Sequence, residues 1–178
     1  MSAEFASDAA APPGSPQGET AELSPEELRN STILIVDDNL QNLELLQAYL
    51  EGLSCRIITA TNGLEALALV DSDPPDVILL DVMMPRMSGF EVCKKLKADP
   101  QTRTIPILMV TALNELGDIE RGVECGTDDF LTKPVNKLEL TTRVKSLLRV
   151  RHLRRELDRT RAHIDQVQSD ADDTGRDD

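Results

Sequence analysis

From Ser31 onward the chain alternates two textures. Short apolar runs, TILIV (32–36), CRIITA (55–60), DVILL (76–80), IPILMV (105–110) and DDFLT (128–132), read as strands, with Pro106 tolerated near the start of its strand. Between them lie segments with apolar residues three and four apart. LQNLELLQAYLEGL (40–53) places Leu40, Leu43, Leu46 and Leu50 on one helical face and stops at Gly52. GLEALALV (63–70), GFEVCKKLKAD (89–99) and NELGDIERGVECG (114–126, stopping at Gly126) are helical too, and a further helix starts at Lys137 and runs into the 160s. Five unbroken apolar strands alternating with five amphipathic helices predict an α/β fold: a doubly wound, five-stranded parallel sheet covered on both faces. In such a sheet the site lies beyond the carboxyl ends of the strands.

The flanks differ. Residues 1–22 are rich in Ala, Pro, Gly and Ser and are expected to be disordered, followed by a short helix at SPEEL (24–28), where Ser24 and Glu27 form a capping-box pattern around Pro25. Residues 1–30 are thus an N-terminal extension and 31–149 the folded domain. Residues 150–168 are a helical, coiled-coil-like extension, and 169–178 a disordered acidic tail.

Composition narrows the functional classes. Aromatic residues are 2% of the chain and Trp is absent, so aliphatic side chains fill the core. A net charge of -13 disfavours nucleic acid and anionic membranes unless a basic patch is segregated. Cys55, Cys93 and Cys125 are scattered, in no metal-binding or disulfide pattern, and read as reduced buried thiols. The N-terminus lacks the basic and apolar regions of a secretory signal, and no run approaches the ~20 apolar residues of a membrane span. A cytoplasmic protein without membrane insertion is expected.

The strand ends carry the chemistry. The first strand ends in Asp37-Asp38, the third in Asp81 and the fourth in Thr111, and the fifth is followed by Lys133-Pro134. On one sheet edge, three carboxylates would repel one another unless a cation sat among them. Oxygen-only donors suit a hard ion such as Mg2+. A carboxylate can attack phosphorus, while Lys and Thr can hold phosphoryl oxygens. Without a Gly-rich phosphate cradle, a bound nucleotide is not the expected phosphate source.

ILIVDDN (33–39), ILLDVMMPRMSGFE (78–91), PILMVTA (106–112) and FLTKP (130–134) together resemble the signature segments of response-regulator receiver domains, over about 120 residues from Thr32 to Arg149. The resemblance implies a flavodoxin-like sheet of order 2-1-3-4-5. It implies that Asp81 accepts phosphate from a histidine kinase or histidine phosphotransfer protein, facing solvent and metal. Asp38 and Asp81 would ligate Mg2+ directly, Asp37 through a water, and Met83 through its backbone carbonyl. Thr111, the backbone N–H of Ala112, and Lys133 would bind phosphoryl oxygens, with a cis Lys133-Pro134 bond. Phe130 would be the switch aromatic. Met83 and Leu113 occupy the two positions that tune phosphate lifetime in this family. Both are apolar, which implies slow self-dephosphorylation. Met83, Met84 and Pro85 shape the turn after Asp81 as packing residues.

The last helix outruns what a receiver needs. Leu140, Val144, Leu147 and Leu148 should pack on the sheet. Val150, Leu153, Leu157, Thr160, Ile164 and Val167 then form a heptad seam of roughly three repeats. A parallel pair would join Glu156 to Arg161 of the second copy but oppose Arg149 and Arg154. A homodimer is therefore expected through the fourth and fifth main helices (114–126 and 137 onward) together with residues 150–167. The basic cluster Arg143, Lys145, Arg149, Arg151, Arg154 and Arg155 reads as a solvated or partner-docking face rather than a nucleic-acid site. The expected function is a stand-alone receiver rather than an enzyme, with two alternatives. One is a receiver detached from a cyclase or hydrolase-type regulator. The other is an Mg2+-dependent aspartyl phosphotransferase, which would need an Asp where Met83 stands. No output partner is specified.

Overall fold

The computed structural model describes residues 23–112 and 116–174, side chains at 116–119 and 169–174 excepted. The segments 1–22 and 175–178, and Leu113 with its lifetime assignment, lie outside the described residues.

Five strands form one sheet, β1 (Thr32–Val36), β2 (Arg56–Ala60), β3 (Val77–Leu80), β4 (Ile107–Thr111) and β5 (Asp129–Thr132). All neighbours are parallel and the order is β2-β1-β3-β4-β5, the doubly wound order expected. Among the described residues six α-helices accompany it: α1 (Pro25–Arg29), α2 (Leu40–Leu50), α3 (Gly63–Ser72), α4 (Gly89–Ala98), α5 (Leu116–Cys125) and α6 (Lys137–Thr174). The two-residue period of the strands splits the core in two. Ile33, Ile35, Val77, Leu79, Leu108 and Val110 meet α2 and α6. Leu34, Val36, Ile78, Leu80, Ile107 and Met109 meet α3 and α4. Leu140, Val144, Leu147 and Leu148 of α6 are buried as the spacing predicts. Each such side chain contributes about 1.5–3 kcal/mol by leaving water.

Several boundaries shift. β4 starts at Ile107 rather than 105 and takes in Thr111. α2 ends at Leu50, and Glu51–Leu53 tighten into a 3-10 turn that buries Leu53. The left-handed residue that ends this turn is Ser54 (φ 57°), not Gly52. α6 continues to Thr174 where the pattern suggested an end near 168. Leu23 and Leu28, flanking and within α1, pack against the core on the α2–α6 side.

The basic face of α6 requires a correction. Arg151 is only 8% exposed and donates from Nη1 to Thr104 Oγ1 at 2.6 Å. Arg155 pairs with Asp76, which also accepts from the Thr32 N–H at 2.8 Å. His152 Nε2 lies 2.9 Å from Ser31 Oγ. The reason is helical phase: 151, 152 and 155 share the side turned to the amino-terminal edge of the sheet. Arg143 pairs with Asp129 and Glu139. Arg143, Arg151 and Arg155 thus anchor the helix, while Lys145 and Arg154 stay exposed as expected.

Candidate functional site

Register builds the site. Val36 pairs with Leu80, so the residues that follow, Asp37 and Asp81, emerge side by side. Thr111 pairs with Thr132, which brings Lys133 to the same edge. The Lys133 N–H donates to Thr111 O at 2.8 Å, and the Lys133–Pro134 bond is cis.

Asp81 does not face solvent as the sequence suggested: it is 4% exposed. Its charge is held by Lys133, whose Nζ lies 2.7 Å from Asp81 Oδ1 and 2.8 Å from Asp37 Oδ2. Asp37 is equally buried, whereas Asp38 is exposed. Burial pushes the Asp81 carboxyl above the usual range. The hydrogen bond and charge of Lys133 pull it down, and the like charges of Asp37 and Asp38 push it up again. For Lys133, burial disfavours the ammonium, but its two carboxylate partners outweigh that and hold its pKa above the ordinary value.

Carboxylate oxygens of Asp37, Asp38 and Asp81 all come within 4.8 Å of one another. Three hard oxygen donors with one bridging ammonium leave the cluster rich in negative charge, which fits a hard dication. Neither aspartate of the first loop caps a helix: Asn39 caps α2, its Oδ1 accepting from the Gln41 and Asn42 N–H groups. Ser88 and Glu91 form the capping box of α4. That start lies close under the Asp81 loop, because Gly89 N donates to Val82 O at 3.0 Å.

The methionines separate: Met84 is buried in the core, while Met83 is 64% exposed and does not pack. Thr111 is buried at the end of β4. Ala112 follows it, exposed. Phe130 is half-buried, its ring against Gly122, where a Cβ would lie 1.7 Å from the ring. The exposed seam of α6 includes Val150, Leu153, Leu157, Ile164 and Val167. A groove of about 260 Å3 between Leu45, Tyr49, Lys133 and Val135 opens beside the site.

Sequence reasoning missed two neighbours. Asn42 donates from Nδ2 to both oxygens of Asp37, at 3.1 and 3.0 Å. The only hint was a poor helix former in the first turn of a Leu-rich helix. Gly122, the seat of the Phe130 ring, gave no signal at all.

The family model described as the response regulator receiver domain matches residues 33–145. Among curated proteins, the chain is 51% identical over 120 residues to response regulator PleD of Caulobacter vibrioides, covering 67% of this chain and 26% of that protein. It is 46% identical over 120 residues to the alkaline phosphatase synthesis transcriptional regulatory protein PhoP of Bacillus subtilis, covering 67% of this chain and 49% of PhoP. The chain thus spans a quarter to a half of the length of these relatives. Among solved structures, a receiver domain of a signal transduction histidine kinase from Syntrophus aciditrophicus matches with TM-score 0.63 and 41% identity, covering 66% of this chain and 89% of that one. Chemotaxis protein CheY4 of Vibrio cholerae matches with TM-score 0.63 and 32% identity, covering 66% and 98%. Among the described residues no helix is long and apolar enough to cross a membrane.

Proposed function

The chain belongs to the response regulator receiver domain family, and on that premise we propose that it is a phosphoacceptor signalling module of the cytoplasm. Asp81 takes a phosphoryl group from the phosphohistidine of a histidine kinase or phosphotransfer protein. An Asp81 oxygen forms the new P–O bond as the P–N bond breaks, and its electron pair returns to the imidazole. The observation that carries this reading is the buried Asp81 carboxylate beside Asp37, Asp38 and the Lys133 ammonium. Asp37, Asp38, Asp81 and the Met83 carbonyl are the groups that would hold Mg2+, which supplies charge neutralisation for the transfer. Lys133, Thr111 and the Ala112 N–H hold the phosphoryl oxygens. The apolar groove beside Lys133 is where the donor protein docks. Met83, exposed and apolar, orients no water, which favours a long-lived phosphoryl group.

In a metal-free buffer, Mg2+ should raise the melting temperature, by about 2.7 kcal/mol of added stability at a free concentration 100-fold above Kd. Asp38→Ala should abolish the rise and should lose labelling by acetyl phosphate. Wild-type labelling at full rate in EDTA would contradict the metal's part; no labelling with Mg2+ would contradict phosphoacceptance.

The output reading is a second copy of the chain. Arg151, His152 and Arg155 fix the middle of α6 to the amino-terminal edge of the sheet, so its exposed seam projects in a set direction. Phosphorylation, through movement of Phe130 at the α5 face, then favours a parallel dimer through α5, α6 and residues 150–167. Leu157→Lys should reduce dimerisation in sedimentation runs with a non-hydrolysable phosphate mimic and leave labelling intact. A dimer that ignores both the mimic and the substitution would eliminate this output. The 51% identity to PleD supports the domain's use as an input module of a larger regulator as well.

A further inference from the structure

We infer that Asn42 is a positioning residue for the acidic pocket: it sets the plane of the Asp37 carboxylate, which has an oxygen within 4.8 Å of those of Asp38 and Asp81. Asp37 is buried and held by four polar contacts. Oδ1 accepts from the Asn39 N–H at 2.9 Å and from Asn42 Nδ2 at 3.1 Å. Oδ2 accepts from Asn42 Nδ2 at 3.0 Å and from Lys133 Nζ at 2.8 Å. The Asn39 contact and the Lys133 contact each grip one oxygen, so either alone leaves the carboxylate free to turn. Asn42 Nδ2 sits between the two oxygens, within reach of both, and limits that rotation even when Lys133 lets go.

The arrangement is not explained by the helix. Asn39 already caps α2, and the Asn42 side chain bonds no backbone group of its own turn. Asn also lowers helix stability relative to the leucines around it. Nor does Asp37 need Asn42 for its charge, because Lys133 supplies a cation. What the amide adds is orientation that does not depend on Lys133. It persists when the ammonium turns toward a phosphoryl group on Asp81. Outer groups that orient metal-binding side chains typically change metal affinity 10–100-fold.

This inference rests on the proposed Mg2+ site, and the test separates the two. Isothermal titration of the full chain with Mg2+ would compare wild type, Asn42→Leu, Asp37→Asn and the double variant. Asn42→Leu should weaken binding about 10-fold, with far-UV circular dichroism unchanged. If Leu disturbs the fold, Asn42→Ser, too short to span Asp37, replaces it. In the Asp37→Asn background the same change should cost little further, because its route is gone. Wild-type affinity in Asn42→Leu, or an equal loss added on top of Asp37→Asn, would overturn the role of Asn42. No heat and no thermal shift from Mg2+ in wild type would overturn the metal site itself.

Discussion

Mass spectrometry after incubation with acetyl phosphate and Mg2+ should find one added phosphoryl group on the wild type and none on Asp81→Asn. The amide keeps the shape of the side chain and can still accept from Lys133, but it has no anionic oxygen to attack phosphorus. The same substitution has a second, opposite consequence for stability. Burial raises the Asp81 pKa, against the pull of Lys133, so the folded state binds a proton more tightly than the unfolded one. Stability from this group is therefore lost as pH rises from the ordinary carboxylate range through the raised folded value. Without metal, Asp81→Asn should melt higher than wild type at pH 7, and the gain should shrink as pH falls toward the carboxylate range. Labelling of the variant would move the phosphoacceptor elsewhere. A lower melting temperature at pH 7 would mean that Lys133 more than offsets the burial.

Gly89→Ala should disable the site from outside it. A Cβ at Gly89 would lie 2.2 Å from the backbone oxygen of Asp81 and 3.0 Å from its carbonyl carbon. Both are backbone atoms, so no side chain can turn away. The start of α4 must retreat, and its bond from Gly89 N to Val82 O breaks. Overpacking of this kind costs about 1–3 kcal/mol. At roughly 2–4 °C per kcal/mol for a chain of this size, the melting temperature should fall several degrees. The loop carrying Asp81 moves with it, so labelling should slow at least about tenfold, the effect of one 1.4 kcal/mol change in the barrier. Gly52→Ala is the control: its Cβ meets nothing within 4 Å, and both readouts should stay at wild type. A Gly89→Ala protein indistinguishable from wild type would show that the contact relaxes without consequence.

Asp37, Asp38, Asp81, Thr111 and Lys133 were legible because each stands where an apolar run stops. A parallel sheet collects such stops on one edge. That Lys133 bridges Asp37 and Asp81 was not legible, since those partners lie 96 and 52 residues away in the chain. Asn42 escaped for a related reason: whether a polar residue in a first helical turn points to solvent or to the strand end depends on how the helix sits on the sheet. Gly122 carries no periodic signal, and its meaning exists only once Phe130 lies against it.

By itself the sequence determined the strands, the main helices and the class of sheet. It did so because hydrophobic period and capping are local properties, repeated within each element. It also set the set of oxygen donors and the one nearby ammonium. The tertiary structure alone decided that Asp81 and Arg151 are buried, that Arg155 pairs with Asp76, and that Val150, Leu153, Leu157, Ile164 and Val167 stay exposed. Those outcomes depend on helix phase relative to a sheet and on pairs far apart in the chain. Burial and ion pairing of this kind are fixed when the elements pack, and no repeating pattern along the chain records them.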